Sequence, residues 1–263
     1  MYGKTNTTMG VGGEFKCYFP QSVSEAVALL RENPLWILGG GSNLLILDEG
    51  AKDALSFKNL QKVKIEGDRV FAEAGFPLSK LAKLALNKGL SGLEFATSIP
   101  GTVGGAVFGN AGAFGQDICS LIQSVTVTQE GEIKVLDLEN LKFGYRKGIE
   151  KTILSVQLKL SYGDKSVIEK RIDEYKLYRR KTQPVGKTFG SVFKRYKGIS
   201  PAVYIEKTGL KGMIYGGAKI SEKHCNFIIN EKGATSQDVL YLVKTIEDKV
   251  GVPLEREFRI PPK

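Results

Sequence analysis

The feature that most limits how this chain can fold is a long uncharged stretch, rich in glycine and alanine, from Phe95 to Gln116. It contains no Lys, Arg, Asp or Glu, and each glycine lowers helix stability by about 1 kcal/mol relative to alanine. Side chains this small form a poor core, so something else must compensate for the cost. Close approach of the backbone to a buried pyrophosphate is the best physical account. A tightly packed domain interface is the alternative.

A second glycine run, Gly39-Gly40-Gly41-Ser42-Asn43, interrupts an apolar segment that begins at Leu35. Its spacing is not that of a dinucleotide-binding fingerprint, and no lysine follows as in a P-loop. Taken alone, it is as compatible with a tight turn as with a ligand loop. Two neutral glycine loops together indicate a large nucleotide held by backbone dipoles rather than by salt bridges.

Apolar periodicity predicts an α+β protein with a domain boundary near residue 163. A hairpin turning at Gly131 is typical of an antiparallel sheet. Helices are expected at 23–31, 78–88 (closed by Gly89), 167–180 and 239–250, and strands at 35–38, 63–65, 70–74, 124–128, 133–136 and 153–160.

Composition excludes several classes of protein. Of the 263 residues, 42% are hydrophobic and no run approaches a membrane span, so disorder and membrane insertion are not expected. Three widely spaced cysteines indicate a reducing, cytoplasmic location. The single histidine, His224, argues against a metal site, and we expect none. The net charge of +10 suits a solvated surface, anionic small molecules or nucleic acid.

Eight short motifs, in order along the chain, give a much more specific indication. They are Asn6-Thr7-Thr8, GGGSNLL (39–45), IPGTVGGAV (99–107), NAGAFG (110–115), FGYR (143–146), GSVFK (190–194), SEKHCNFIIN (221–230) and LEREFRI (254–260). Each is weak alone. Together the set resembles the UDP-N-acetylenolpyruvoylglucosamine reductase family, flavoenzymes that make UDP-N-acetylmuramate for peptidoglycan.

This resemblance implies non-covalent FAD in an N-terminal region, 1–162, built of two subdomains (1–58 and 59–162) like those of vanillyl-alcohol-type oxidases. It implies a smaller α+β substrate-binding domain at 163–263, whose residues 251–263 return towards the flavin. A histidyl-flavin bond is excluded in 1–162, which holds no histidine. The implied cofactor contacts are Gly39, Gly40, Gly41, Ser42, Asn43, Leu44, Gly101, Thr102, Gly104, Gly105, Asn110, Ala111 and Gly112.

The resemblance also implies the reaction and its residues. Family enzymes take hydride from NADPH and deliver it to the enolpyruvyl double bond, which creates enolate character beside a carboxylate. Arg146 matches the enolate-stabilising arginine, Ser191 the proton donor and Glu257 the partner carboxyl. A guanidinium suits this task because its paired N–H groups fit the two carboxylate oxygens.

The resemblance also implies a set of substrate-binding residues. Basic side chains among them suit a diphosphate, although His224 could equally be a packed neutral residue. The resemblance predicts a monomer that acts on small molecules, with no nucleic-acid or membrane partner. The matching positions are Arg180, Gln183, Lys194, His224 and Asn226.

The chain departs from the family pattern in three places. Lys147-Gly148-Ile149 follows Arg146 where a serine is usual two residues on, and Cys225 stands where alanine is commoner. The tyrosine insertion of the longer subclass is absent, so the chain resembles the shorter subclass and Tyr162 is interpreted as a domain-junction residue. The remaining alternatives are a flavin oxidase of the same superfamily and, from charge alone, a basic nucleotide- or RNA-binding module.

Overall fold

A computed structural model describes residues 7–263, so Asn6 of the first motif lies outside the described residues. The chain forms two compact units, neither of which is a single continuous segment. The larger unit comprises Tyr18–Gly40 and Ala54–Arg179, and the smaller comprises the chain up to Cys17, Gly41–Asp53 and Arg180–Lys263. The functional domains expected at 1–162 and 163–263 have different boundaries from these units. The boundaries of the functional domains stay a prediction.

The larger unit holds most of the regular structure. Its elements are β1 (Cys17–Tyr18, which begins one residue before the unit), α1 (Val23–Glu32), β2 (Trp36–Leu38), β3 (Ala54–Ser56), β4 (Val63–Glu66), β5 (Arg69–Glu73), α2 (Leu78–Asn87), β6 (Leu90–Ser91), α3 (Val103–Gly109), β7 (Gly112–Ala113), β8 (Gln116–Asp117), β9 (Ile122–Gln129), β10 (Glu132–Asp137), β11 (Thr152–Lys159), β12 (Ser161–Tyr162) and α4 (Lys165–Thr182, whose last turn enters the smaller unit).

A five-stranded antiparallel sheet organises this unit, in the order β10-β9-β11-β5-β4. The β9–β10 hairpin turns at Glu130-Gly131, where both residues have positive φ, 54° and 75°. The predicted hairpin is therefore confirmed. Alternating residues of β9 and β11, such as Val125 and Val156, join one hydrophobic core with α2 and α3.

Helix ends follow the expected capping chemistry. The Ser22 side chain accepts from the Glu25 N–H at 3.1 Å and begins α1, which confirms the predicted helix within one residue. The predicted α2 is also confirmed, and Gly89 follows it with φ +68°. β2 and β3 pair in parallel, with β1 on the other side of β3.

The smaller unit is built from α5 (Pro201–Glu206), β13 (Ile214–Tyr215), β14 (Ala218–Ile220), β15 (Ile228–Asn230) and α6 (Ser236–Lys249). The three strands form an antiparallel sheet, against which α6 packs a core that includes Met9 and Leu45. The Asp48 carboxylate accepts from the Ser236 N–H at 2.9 Å at the start of α6. No helix within residues 7–263 is long and apolar enough to cross a membrane.

Candidate active site

Two glycine loops meet within the larger unit. A Cβ built on Gly40 would lie 2.6 Å from the Gly101 Cα, so Gly40 has no room for a side chain. Gly101 has φ +116°, a conformation that other residues rarely adopt. The main chains of the two predicted loops therefore lie close together. Their uncharged backbone suits the binding of a pyrophosphate by main-chain dipoles.

Helix α3 begins at this junction, although sequence reasoning did not predict it. Thr102 caps the helix, and its Oγ1 accepts from the Gly105 N–H at 3.3 Å. Gly104 is buried: its N–H donates to the Ala74 carbonyl at 2.9 Å, and a Cβ there would lie 2.7 Å from the Ala74 Cβ. The Gly104 N–H is therefore hydrogen-bonded inside the larger unit, whereas Gly105 is exposed and its N–H is bonded to the helix cap.

The rest of the first glycine loop belongs to the smaller unit. Gly41 is buried with φ +63°, and its carbonyl accepts from the Thr8 N–H at 3.0 Å. The Asn43 side chain donates to the Glu257 carbonyl at 3.0 Å. Leu44 forms a parallel bridge with Arg259. These bonds fix the loop against the segment that carries Glu257, one of the predicted catalytic residues.

Asn110 ends α3 in the left-handed conformation, with φ +46°. Its buried side chain donates to the Gly144 carbonyl at 3.0 Å and accepts from the Cys119 N–H at 3.2 Å. Both ends of the amide are therefore engaged within the protein. The flavin contact predicted for Asn110 stays a prediction, while its observed contacts anchor the turn that carries Arg146.

Arg146 stands in a two-residue turn closed by reciprocal hydrogen bonds between Gly144 and Lys147, of 2.8 and 3.0 Å. Its φ is +54°, an uncommon backbone conformation for a residue other than glycine. The guanidinium donates to the Gly112 carbonyl at 2.9 Å and lies 5.1 Å from the centre of the Tyr145 ring. The side chain is thus aimed at the end of the second glycine loop, where Gly112 lies.

A second guanidinium, which sequence reasoning missed, lies in the same region. Burial, and then the nearby Arg146 charge, lower the pKa of Arg179 on α4. Phe114, at the tip of the β7–β8 hairpin, stacks on Tyr175 of the same helix with ring centres 3.9 Å apart. Two neighbouring guanidinium groups are suited to binding an anion such as a carboxylate. No local pattern identified Arg179, because its neighbours on α4 are mostly charged surface residues.

Ser191 and Glu257 lie on neighbouring segments of the smaller unit. The Glu257 N–H donates to the Val192 carbonyl at 2.8 Å, and the Lys194 N–H donates to the Glu255 carbonyl at 2.8 Å. Ser191 itself forms an antiparallel bridge with Phe227. Gly190 precedes it with φ +88°, the conformational freedom expected of a glycine at this position.

The predicted substrate contacts have varied environments. Lys194 is half-buried and forms an ion pair with Glu255 at 2.6 Å, whereas the Arg180 side chain is exposed and Gln183 is half-buried. Burial lowers the pKa of His224, whose Nδ1 accepts from the Asn226 N–H at 3.3 Å, so its ring is held neutral. Asn226 is buried, and its amide bonds the backbone of Phe193, so a substrate contact there stays a prediction.

Comparisons with known proteins show the family to which the chain is similar. A family model described as an FAD binding domain matches residues 17–137, and one described as the C-terminal domain of UDP-N-acetylenolpyruvoylglucosamine reductase matches residues 182–261. The reductase of that name from Clostridium botulinum (strain Hall) is 41% identical over 98% of this chain and 90% of its own length. The one from Pediococcus pentosaceus is 39% identical over 97% and 90%.

A solved structure is similar over nearly the whole chain. The crystal structure of UDP-N-acetylenolpyruvylglucosamine reductase from Thermus caldophilus has a TM-score of 0.91 and 37% sequence identity. The match covers 98% of this chain and 97% of the other. Both units of the present fold are therefore included in the similarity.

Proposed function

Because the chain belongs to the UDP-N-acetylenolpyruvoylglucosamine reductase family, we propose that it reduces UDP-N-acetylglucosamine enolpyruvate to UDP-N-acetylmuramate with the residues described above. The protein is an FAD-binding oxidoreductase of peptidoglycan synthesis that uses NADPH as reductant. Bound FAD supplies the hydride chemistry. Family membership over the whole chain argues against the flavin oxidase and the RNA-binding module as alternatives.

The glycine loops are the part of the chain that fits the cofactor. Gly39, Gly40, Gly101 and Gly105 present backbone without side chains, and a Cβ added to Gly40 would lie only 2.6 Å from the Gly101 Cα. These residues would hold the pyrophosphate through backbone dipoles. The uncharged character of both loops supports this assignment, because no lysine or arginine in them could do the same work.

Arg146 would bind the carboxylate of the enolpyruvyl group and stabilise negative charge as the enolate develops. A guanidinium held by the Gly112 carbonyl is oriented before substrate arrives, so little reorganisation is needed during reaction. Arg179 adds a second positive charge beside it. The left-handed turn at Arg146 supports a functional assignment, since residues in sparsely populated conformations cluster at active sites.

Ser191 would donate the proton to the α-carbon, and Glu257 would be the partner carboxyl near the developing enolate. The observation that carries this assignment is the backbone pairing of Glu257 with Val192, at 2.8 Å, directly after Ser191. Positioned proton transfer of this kind contributes about 10²–10⁴-fold to a rate. Lys194, His224, Arg180, Gln183 and Asn226 remain proposals as substrate contacts, as do a monomeric state and a cytoplasmic location.

The test separates the two half-reactions by stopped-flow spectroscopy. In the Ser191→Ala variant, flavin content and flavin reduction by NADPH should match the wild type, while reoxidation by UDP-N-acetylglucosamine enolpyruvate should slow by about 10²–10⁴-fold. Ser191→Cys should recover part of the rate, because a thiol is a stronger acid of similar reach. Reoxidation of Ser191→Ala within a few-fold of the wild-type rate would refute the proton-donor role.

A further inference from the structure

One buried asparagine of the smaller unit makes two hydrogen bonds to the backbone of a single residue. The Asn226 Oδ1 accepts from the Phe193 N–H at 3.0 Å, and its Nδ2 donates to the Phe193 carbonyl at 2.9 Å. The residue is 3% exposed. A side-chain amide used in this way reproduces the donor and acceptor of a neighbouring strand.

The same asparagine also uses its main chain on this segment. The Val192 N–H donates to the Asn226 carbonyl at 2.9 Å, so one residue satisfies three backbone groups of Val192 and Phe193. On the opposite edge, the Val192 carbonyl accepts from the Glu257 N–H. The backbone directly after Ser191 is thus held on both edges, by Asn226 on one and by the Glu257 segment on the other.

We propose that Asn226 is a positioning residue for Ser191: its amide fixes the backbone that sets the serine hydroxyl relative to Glu257. This inference rests on the proton-donor role proposed above for Ser191. Only an amide of this length provides both a donor and an acceptor here. An aspartate would keep the acceptor for the Phe193 N–H but turn a carboxylate oxygen towards the Phe193 carbonyl, which repels it.

Asn226→Asp is therefore the sharpest variant, since it changes one end of the amide without changing its shape. Reoxidation of the reduced flavin by UDP-N-acetylglucosamine enolpyruvate should slow by about 10–100-fold, because a misplacement near 1 Å can cost about 10²-fold. Flavin content and reduction by NADPH should stay within a few-fold of the wild type. A matched control is Asn230→Asp. Asn230 is also buried, but its amide bonds Met9, Gly10 and Ala234 rather than the segment after Ser191.

A double-mutant cycle distinguishes positioning from general loss of structure. If Asn226 acts through Ser191, Asn226→Asp should change reoxidation less than about 3-fold in a Ser191→Ala background, since the group that it positions is already gone. The same slowing in both backgrounds overturns the proposal. If instead Ser191→Ala alone leaves reoxidation near wild type, the proton-donor role fails and the positioning role fails with it.

Hydrogen exchange gives a readout that does not depend on activity, and its wild-type measurement needs no variant. In the wild-type protein the Phe193 amide should be protected at least as strongly as those of β14 and β15, because its acceptor is buried. In Asn226→Asp, protection within 191–194 should fall while that of α6 is unchanged. Exchange of the wild-type Phe193 amide at the rate of an exposed loop would overturn the proposal.

Discussion

Two adjacent glycines at the start of α3 allow packing and cofactor binding to be tested separately. A Cβ at Gly104 would lie 2.7 Å from the Ala74 Cβ and 3.2 Å from the Ala74 carbonyl oxygen, inside the larger unit. A Cβ at Gly105 would meet only the Thr102 Oγ1, at 3.4 Å. The informative comparison is therefore between Gly105→Asp and Gly104→Ala. Gly105→Asn serves as the uncharged control for Gly105→Asp.

The expected effects on stability have opposite signs. Overpacking at Gly104 costs about 1–3 kcal/mol, from which the better helix propensity of alanine recovers about 1 kcal/mol. An aspartate at position 105, three residues after the capping Thr102, completes a capping pattern and places a negative charge at a helix N-terminus, worth about 0.3–1 kcal/mol. Gly104→Ala should therefore lose up to about 2 kcal/mol, and Gly105→Asp should lose none.

The affinity for FAD should fall more in Gly105→Asp than in Gly104→Ala. A carboxylate at position 105 stands at the proposed pyrophosphate site, and placing like charges together costs several kcal/mol. A loss of only 2 kcal/mol already corresponds to a Kd about 30-fold weaker. The assay is a fluorescence titration of FAD into apoprotein, together with thermal unfolding of the same apoprotein samples. Gly105→Asn should bind nearly as well as the wild type.

The comparison of Gly105→Asp with Gly105→Asn tests whether the start of α3 faces the pyrophosphate. If the two variants bind FAD with Kd values within 3-fold of each other, the start of α3 does not face the pyrophosphate and the assignment of this loop is wrong. A weak Kd in Gly104→Ala alone, matched by a lower unfolding temperature, would indicate packing and would not support a cofactor contact.

Two further predictions concern Arg146 and His224. Arg146→Lys keeps the charge but loses the two-pronged donor, so reoxidation by substrate should slow by about 10²-fold while flavin reduction by NADPH stays intact; equal slowing of both steps would contradict the enolate role. Because burial lowers the pKa of His224, the folded state favours the neutral ring. Its contribution is present above the unfolded pKa of about 6.5 and is lost as the pH falls through the lower folded pKa. Urea unfolding at pH 7.5 and pH 5 should therefore show a smaller acid-induced loss in His224→Gln, and an equal loss in both proteins would show that another group is responsible.

Local patterns predicted the regular parts of the fold because those parts depend on local chemistry. The hairpin at Gly131 and the cap at Ser22 follow from backbone freedom and from a side-chain acceptor, which are both visible in the sequence. Helix α3 was missed because its glycines oppose helix formation. Packing of Gly104 on Ala74 overrides that propensity, and such a contact has no local signature.

The site shows the same division between local and distant information. Motifs predicted Arg146 and Ser191 as residues, but not what holds them. The proximity of Arg179 to Arg146, and of Asn226 to Phe193, each joins positions 33 residues apart through the fold. A sequence motif can therefore predict a candidate reacting group, whereas the residue proposed to orient it is found only when distant segments are brought together.

The interleaved course of the chain has a consequence for synthesis on the ribosome. Every segment of the larger unit has been translated once Arg179 is made, whereas the smaller unit joins Met9 to Asn230 across 221 positions and Asp48 to Ser236 across 188. The apolar side chains of its early segments, Leu45 among them, therefore have no partner while more than a hundred later residues are made. The larger unit can thus fold during translation, whereas the smaller one cannot complete its long-range hydrogen bonds until Ser236 has been made.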